Sequence, residues 1–566
     1  MAERLLISDL PGNAWRVLAN RVRLLKRRGL DYVLLHVAGS FPERTVQPRR
    51  RFPLSLLPWP APPPSIEAFC ETLERLAADP RVQGVVLIVS GLSAGPAALD
   101  SLRQAIERFR GARKRAVAYL HDVDMWSYYL ACACDQVLAP EASSFLAAGL
   151  SSHAIFLKDA LALVGVEADF EAIAEYKVSP DTFRRAAMTA SHREMLESLL
   201  DSVYAEVTAC IAAGRNLAPD RVRELLDSVP LAAAQARDAG LLDGVCYEDE
   251  LPAQLGTPNR PALLLTWEQA QRRLVQPIRW HTRRAVGVIS LEGMIVPGPS
   301  RQPPLPIPLP LPVPSEQAGC DTLLTQLRAA ARDRRLAAVV LHIDSPGGSA
   351  SASDLIGREV AQLRRLKPVV VSMGERAASG GYYVAAPASC IVAHATTLTG
   401  SIGIWGGKIV TRGLYDKLRV GREVVSRGKA AAMYADTAPF ADEERARIRA
   451  EIGAGYARFK ARVAQGRGMN EEQVEALARG RVWTGEQALA RGLVDRLGDL
   501  RAAAGVAREL AGLPPGRHAP LVAVPVPRHP VLPPSPSVGG EWLGGFLALL
   551  REGVWALAPW DIRFRG

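Results

Sequence analysis

A single serine, Ser379, stands in a run of small residues that reads GERAASGGYY over 374–383. The β-branched segment KPVVVSM precedes this run, and the small apolar segment GGYYVAAPA follows it. This pattern predicts that Ser379 lies on a tight bend between a strand and a helix. Amides and the helix dipole at such a bend favour developing negative charge, so the position suits a nucleophile. An N-terminal helix cap is the other role that this position offers.

A second small-residue turn, IDSPGGS, follows an earlier strand. A Pro-Gly-Gly bend exposes backbone N–H groups without side chains that block approach, and an oxyanion hole requires such groups. Gly347 supplies one amide of this kind, and Gly380, directly after Ser379, supplies another. An ordinary strand-to-helix turn explains the same residues without any chemistry.

A serine nucleophile needs a base, and the sequence shows no histidine at a suitable position. His342 precedes the Pro-Gly-Gly turn, but it lies inside a strand pattern and alternates with core residues. A lysine is the other residue type available, provided that burial lowers its pKa enough to keep the amine neutral.

The elements that position these residues belong to an internal duplication. Three segments, LLHVAGSFP, GVVLIVS and SYYLACACDQVLAP, recur 254 residues later as VISLEGMIVP, AVVLHIDS and GYYVAAPASCIVAH. The constant offset predicts two homologous halves, 30–255 and 284–512, joined by a linker over 256–283. Short strands alternate with amphipathic helices in each half, which predicts α/β domains with mostly parallel sheets. Met125 replaces Ser379 in the first half, so we expect chemistry in the second half only.

Composition excludes several classes of protein. The 566-residue chain is 48% hydrophobic and carries a net charge of +11, as expected of a globular protein rather than a disordered one. Its basic residues are dispersed and no nucleic-acid-binding motif is present, so nucleic acid is not the expected partner. The seven cysteines form no CxxC pair, which favours reduced core thiols and argues against a structural metal. No P-loop is present, and no cofactor is expected.

Both ends of the chain carry amphipathic segments. Within residues 1–29, apolar side chains recur at helical spacing among arginines, which suits either a membrane-interface helix or an ordinary surface helix. Residues 513–566 form a proline-rich linker and a Trp-rich tail, in which we expect an interfacial or docking helix over 542–560. No segment reaches the roughly 18 apolar residues that a membrane-spanning helix needs. Two proline-rich insertions, 52–64 and 297–314, are predicted to be extended loops.

Taken in order, IDSPGGS, MGERAASGGYY and TLTGSIGIWG closely resemble the signal peptide peptidase A family, also called protease IV or S49 serine peptidases. RVWTGEQALARGLVDRLGDL is equally similar to that family, and the resemblance to its long, duplicated form covers 30–512. It implies tandem ClpP/crotonase-like domains, a homotetramer, and degradation of cleaved signal peptides or other short hydrophobic peptides without a metal or cofactor.

The resemblance also implies roles for individual residues. Ser379 corresponds to the nucleophile, and Gly347 and Gly380 correspond to the oxyanion amides. Lys177, in EYKVSPDTF, corresponds to the base that the first half supplies to the second. Ser401, in TGSIG, corresponds to the serine that holds this lysine.

A second lysine competes for the role of base. Lys429 occupies the matching position of the second half, which single-repeat members of the family use together with a serine from a neighbouring subunit. Here it would face the first-half site, which contains Met125 and no nucleophile, so we favour Lys177. Val178 and Thr182 depart from the family pattern around that lysine.

Two other functions fit parts of the pattern. A crotonase-type acyl-CoA enzyme also uses paired backbone amides, although it lacks the ASGG and TGSIG motifs. A catalytically inactive scaffold at a membrane surface would suit the altered lysine motif and the amphipathic ends. We therefore expect a Ser-Lys peptidase that is peripherally membrane-associated or cytoplasmic.

Overall fold

The computed structural model describes residues 9–25, 29–44, 64–301 and 316–526, and the backbone of 554–557. The proline-rich insertions fall mainly outside these residues, as does most of the Trp-rich tail. None of the helices in the described part of the chain combines the length and the hydropathy that a membrane span requires.

The first half alternates strands and helices, as the sequence predicts. Its strands are β1 (Tyr32–Gly39), β2 (Gly84–Leu92), β3 (Arg115–Leu120), β4 (Gln136–Ala139), β5 (Ser144–Phe145), β6 (Glu167–Ala172), β7 (Leu231–Ala232), β8 (Gly244–Val245) and β9 (Leu264–Thr266). Its helices, with the N-terminal one, are α1 (Asp9–Leu25), α2 (Ile66–Ala77), α3 (Pro96–Gly111), α4 (Met125–Ala131), α5 (Lys158–Leu163), α6 (Asp181–Arg184), α7 (Ala190–Arg215), α8 (Pro219–Asp227), α9 (Ala233–Asp238), α10 (Leu251–Leu255) and α11 (Trp267–Ala270).

The second half repeats this alternation. Its strands, with that of the tail, are β10 (Ala285–Glu292), β11 (Met294–Val296), β12 (Gln317–Gly319), β13 (Leu336–Ser345), β14 (Gly347–Ser349), β15 (Val369–Ala378), β16 (Cys390–Ala393), β17 (Leu398–Gly400), β18 (Trp405–Val410), β19 (Val482–Thr484), β20 (Arg496–Leu497), β21 (Leu521–Ala523) and β22 (Val554–Leu557). Its helices are α12 (Cys320–Arg332), α13 (Ala350–Arg364), α14 (Gly380–Ala385), α15 (Arg412–Lys417), α16 (Asp442–Arg467), α17 (Glu471–Leu477), α18 (Gly485–Ala490) and α19 (Leu500–Leu510).

The two main sheets have the same strand order, which confirms the duplication and the α/β class. The first runs β8-β4-β3-β2-β1-β9, and the second contains the equivalent path β20-β16-β15-β13-β10-β21. All of these neighbours pair in parallel, and their central strands are almost fully buried because helices cover both faces. Each sheet also extends past a boundary predicted from the sequence, since β9 lies beyond residue 255 and β21 beyond residue 512.

A third sheet joins the halves. Strand β6 of the first half pairs antiparallel with β18 of the second, from Trp405 opposite Ala172 to Val410 opposite Glu167. Arg445, on α16, adds ion pairs to Asp169 at 2.8 Å and to Glu171 at 2.6 Å on the same strand. Because of this pairing, the residues that directly follow β6 lie against the second half.

The termini differ from each other in how well the sequence predicts them. Helix α1 forms over 9–25, as the apolar spacing indicates. The helix expected over 542–560 is wrong where the chain is described, because 554–557 form strand β22. Backbone pairing with two flanking strands outweighs the local helical pattern there.

All seven cysteines are free thiols, and six of them are buried, as predicted.

Candidate active site

Ser379 lies at the junction of β15 and α14, on the predicted bend. Its backbone has φ 54° and ψ −114°, a strained conformation for a residue with a side chain. The Ser379 N–H donates to the Gly400 carbonyl at 2.8 Å, which fixes the bend against β17. The side chain is fully buried and caps no amide of α14.

The equivalent helix of the first half does have a cap. Asp124 precedes α4, and its carboxylate accepts from the N–H groups of Trp126 and Ser127. This cap lies one residue before Met125, the residue that replaces Ser379 in the first half. The comparison still separates the two positions, since Asp124 caps its helix while the Ser379 hydroxyl is left for another partner.

That partner is Lys177, as the sequence predicts. The Lys177 Nζ lies 2.7 Å from the Ser379 Oγ, 3.0 Å from the Ser401 Oγ and 3.1 Å from the Ser401 carbonyl oxygen. The lysine is 1% exposed, and burial lowers its pKa well below the ordinary value. No charged group of the described residues contributes to this shift. The amine is thus placed where its neutral form is favoured.

The lysine reaches this position because its backbone is attached to the second half. The Ile173 N–H donates to the Ile404 carbonyl at 3.0 Å, and the Tyr176 N–H donates to the Arg479 carbonyl at 3.2 Å. Gly480 then permits the close approach of the two backbones, since a Cβ there would lie 2.5 Å from the backbone nitrogen of Lys177. Its φ of +82° also favours glycine. Gly480 was not among the predicted site residues, although it directly precedes the RVWTG motif.

Ser401 lies in the TGSIG turn that follows β17. Its φ is 50°, and its N–H donates to the Arg481 carbonyl at 2.7 Å, which orients both of its oxygens toward the lysine.

Packing explains why Val178 departs from the family pattern. This side chain is 2% exposed and belongs to an apolar cluster with Met195 and Leu199.

One predicted oxyanion amide directly follows the bend, and the other lies on β14, which packs against α14. Gly347 opens β14 with φ 103°, and its N–H donates to the Ser345 Oγ at 3.1 Å. Gly380 is the first residue of α14, so its N–H has no helical carbonyl to bind. Ser345 was not among the predicted site residues, although it lies within the IDSPGGS motif.

The other candidate bases lie elsewhere. Lys429 belongs to a stretch, 416–430, in which every residue is exposed, whereas Lys177 is buried against Ser379. His342 lies inside β13, as expected, and burial lowers its pKa to about 4. The structure therefore brings Ser379, Lys177 and Ser401 together and leaves Lys429 outside.

A polar cluster that the sequence analysis missed borders the lysine. The Tyr176 hydroxyl donates to Glu194 at 2.7 Å, and Arg481 pairs with the same carboxylate at 2.9 Å. The Arg481 guanidinium also stacks on the rings of Tyr176 and Trp483, at 4.8 and 4.6 Å from their centroids. These contacts join α7 of the first half to β19 of the second beside the site.

A buried serine hydroxyl held against a buried lysine amine, on duplicated ClpP/crotonase-like domains, fits a serine hydrolase. Comparison with known families matches residues 108–258 and 361–514 to Peptidase family S49. The chain belongs to this family and is a serine peptidase. This membership decides against the crotonase-type alternative.

Similar proteins cover most of the chain. The "Serine protease SPPA, chloroplastic" of Arabidopsis thaliana is 31% identical over 85% of this chain and 71% of its own length. The "Protease 4" of Haemophilus influenzae is 30% identical over 77% of this chain and 72% of its own length. Among solved structures, a ClpP1 mutant of Listeria monocytogenes matches 38% of this chain and 93% of its own, at 15% identity and a TM-score of 0.23. A membrane-bound stomatin-specific protease mutant matches 45% of this chain at 17% identity and a TM-score of 0.26.

Proposed function

We propose that Ser379 and Lys177 form a catalytic Ser-Lys dyad, with Ser401 orienting the lysine. The observation that most directly supports this proposal is the 2.7 Å contact between the Ser379 Oγ and the Lys177 Nζ, a buried amine whose pKa is lowered. A neutral amine has two N–H bonds and one lone pair. The two oxygens of Ser401 suit the N–H bonds, which leaves the lone pair for the Ser379 hydroxyl proton.

The reaction follows from this arrangement. Lys177 takes the hydroxyl proton as Ser379 attacks a peptide carbonyl, and the lysine becomes charged. The N–H groups of Gly347 and Gly380 stabilise the oxyanion, once Gly347 has exchanged its bond to the Ser345 hydroxyl for one to the substrate. Lys177 then protonates the leaving amine, and the acyl ester on Ser379 is hydrolysed by water.

The proposed substrates are cleaved signal peptides or other short hydrophobic peptides. The resemblance of the motifs to signal peptide peptidases supports this class. Access also supports it, because the nucleophile is fully buried beside β14, so an extended, narrow chain fits the site better than a folded surface.

A probe for activated serines tests the dyad directly. We expect a fluorophosphonate to label the wild-type chain and the Lys429→Ala variant, but neither Ser379→Ala nor Lys177→Ala. Casein hydrolysis should follow the same order. Labelling that is lost in Lys429→Ala and kept in Lys177→Ala would assign the base to Lys429, and labelling of none would favour the inactive scaffold.

We also propose that the chain forms a closed homo-oligomer, a tetramer by the resemblance. Within one chain, β6 of the first half pairs with β18 of the second. The duplication relates β18 to residues 151–156 of the first half and β6 to about 419–426 of the second. Every residue of 419–426 is exposed, including Val425 at 84%, and 152–156 form no strand in the described structure. The same pairing between neighbouring chains would cover both segments and close a ring.

Light scattering during gel filtration tests this interface. We expect the wild-type chain to elute with a multiple of one chain mass, and Val425→Glu to elute as a smaller species. Val526→Glu, at another exposed valine, is the matched control and should keep the wild-type mass. Equal masses for both variants would place the interface elsewhere.

Finally, we propose that α1 attaches the protein peripherally to an anionic membrane surface. The helix binds its own protein through polar side chains, since the Asn13 Nδ2 donates to the Arg279 carbonyl and the Asn20 Nδ2 to the Gln276 carbonyl. Its outward face is apolar, with exposures of 69% at Trp15, 56% at Leu18 and 80% at Leu25. A surface helix normally buries its apolar face, so this inverted orientation suits a lipid interface with arginines beside it.

Sedimentation with vesicles tests the membrane proposal. We expect the wild-type chain to sediment with vesicles that contain phosphatidylglycerol, and the variant Trp15→Ser/Leu18→Ser to stay largely in the supernatant. Substitution of two exposed apolar residues away from α1 and from the proposed chain–chain interface, Leu366→Ser/Leu510→Ser, is the control and should leave binding unchanged. Equal sedimentation of all three proteins would refute a role for α1.

A further inference from the structure

Another contact between the halves lies on the strand that leads to Ser379. Helix α3 of the first half packs against β15 of the second, and β15 ends directly before the Ser379 bend. The Glu375 carboxylate on β15 accepts the N–H of Ala97 at 3.2 Å and the N–H of Ala98 at 2.9 Å. Both amides lie in the first turn of α3, where backbone N–H groups have no partner within the helix. Glu375 therefore caps a helix that belongs to the other half of the chain.

The start of α3 is shaped for this contact. Gly95, the residue before the helix, has no side chain that could satisfy the α3 amides. A Cβ at Gly95 would lie 2.4 Å from the carboxyl carbon of Glu375, so a side chain there would displace the carboxylate. The φ of Gly95 is −77°, which any residue can adopt. The close approach of Glu375, rather than the backbone conformation, therefore requires glycine at this position.

Strand β15 is irregular where Glu375 lies. Its register with β13 shifts before Ser345, so that 374–376 lie opposite the single residue Asp344. Pairing of β15 with β17 begins at the third of these bulge residues. A bulge redirects the residues that follow it, and bulges are common beside active sites. The direction in which β15 leaves this bulge sets the position of Ser379.

Side chains hold the bulge in place. The Arg376 N–H donates to the Asp344 carboxylate at 3.1 Å, and the Thr397 hydroxyl donates to the Gly374 carbonyl at 2.8 Å. These two contacts lie within the second half, whereas Glu375 connects the bulge to the first half. A displacement of α3 is therefore transmitted to the strand that ends at the nucleophile.

The first half provides an internal comparison. The offset of 254 residues that relates the halves places His121 at the position of Glu375, just as it places Met125 at the position of Ser379. The His121 side chain is 46% exposed. The carboxylate thus accompanies the nucleophile rather than the fold that the two halves share.

We propose that Glu375 is a positioning residue, which seats on α3 of the first half, fixes the β15 bulge and thereby sets the distance between Ser379 and Lys177. The β6–β18 pairing then positions the lysine, and the contact between α3 and Glu375 positions the serine. This inference rests on the proposed Ser-Lys mechanism and deepens it, since it names a residue outside the dyad that controls the geometry of the dyad.

Loss of this contact should lower the turnover number rather than the affinity for substrate. A misplacement of about 1 Å between reacting groups costs up to about a hundredfold in rate. We expect Glu375→Ala to lower kcat on a short fluorogenic peptide about 10- to 100-fold, with KM changed less than about twofold. Glu375→Gln keeps an oxygen that accepts from the α3 amides, so its kcat should lie between those of Glu375→Ala and the wild-type chain.

A double-mutant cycle tests the contact itself. Gly95→Ala should also lower kcat, because the added Cβ overlaps the Glu375 carboxylate. In Gly95→Ala/Glu375→Ala the shorter side chain leaves room for this Cβ. The kcat of the double variant should therefore equal that of Glu375→Ala rather than reflect the product of the two losses. Losses that multiply would show that the two residues act independently, which contradicts the proposal.

Arg108→Ala is the matched control. Arg108 lies on the same helix and pairs with Asp499 of the second half at 2.9 Å, away from β15. Its removal weakens the docking of α3 without touching the bulge, so kcat should stay at the wild-type value. An equal loss of kcat in Arg108→Ala and Glu375→Ala would make Glu375 an ordinary docking contact and refute its positioning role. All rates are measured where urea titrations show every variant to be folded, so that lower stability does not imitate slower turnover.

Hydrolysis by the wild-type chain separates this inference from the proposed peptidase function. If the wild-type chain and Glu375→Ala hydrolyse the peptide with the same kcat, the positioning role is wrong and the peptidase function stands. If the wild-type chain hydrolyses no peptide, both the peptidase function and the positioning role are wrong.

Discussion

Placing a negative charge beside Lys177 should shift the pH dependence of the enzyme. In Ser401→Asp, a carboxylate replaces a hydroxyl that lies 3.0 Å from the lysine Nζ in a fully buried position. An opposite charge at such a distance raises a lysine pKa by about 1 to 3 pH units, because it stabilises the ammonium. Aspartate also tolerates the left-handed backbone, with a φ of 50°, that Ser401 adopts.

The sign of the effect follows from the proposed role of Lys177 as the base. The base acts only when neutral, so kcat/KM rises as pH increases through the lowered pKa of Lys177. When that pKa is raised, the rising limb moves to higher pH. At a pH below both limbs, kcat/KM should fall about tenfold for each pH unit of the shift, or about 1.4 kcal/mol.

Ser401→Asn is the matched control, since it has nearly the same shape and backbone tolerance but no charge. Its rising limb should stay near that of the wild-type chain, with kcat/KM lower by a similar factor at every pH. The assay is a pH profile of kcat/KM on a short fluorogenic peptide. If the aspartate and asparagine variants share one midpoint, Lys177 is not the group that titrates.

Three further substitutions test how the site is held. Lys177→Met should be inactive but more stable than the wild-type chain. The difference between their free energies of unfolding should shrink as pH rises, by up to about 1.4 kcal/mol per pH unit. This sign holds because the lysine pKa is lower in the folded state, and denaturant titrations at several pH values measure it. Gly480→Ala places a Cβ 2.5 Å from the backbone nitrogen of Lys177, at a φ of +82°. Fluorophosphonate labelling of this variant should fall at least tenfold. Labelling at the wild-type level would refute the packing argument. Asp124→Ala should cost about 1 kcal/mol in urea unfolding through its lost cap, with kcat/KM unchanged. A loss of activity there would show that the first-half helix is coupled to the site.

Much of the site was predictable because it lies in short, local motifs. Glycine-rich turns after apolar strands indicate bends and exposed amides without any knowledge of the fold, so Gly347, Ser379 and Gly380 could be found from the residues. The duplication was equally visible, since a repeated core needs the same apolar spacing twice. Lys177 was different, because only the family resemblance distinguished it from Lys429.

The α/β class, the two halves and the bend that carries Ser379 followed from the amino-acid pattern, because these depend on local spacing of apolar, β-branched and small residues. The folded structure, in contrast, decided which lysine meets that serine, since the β6–β18 pairing joins residues more than 230 positions apart, and Lys177 is buried while Lys429 is exposed. It also decided that residues 554–557 of the tail form a strand rather than part of a helix. An edge of free backbone groups on β14 and β18 stabilises whatever extended segment reaches it, and no periodicity within the tail contains that information.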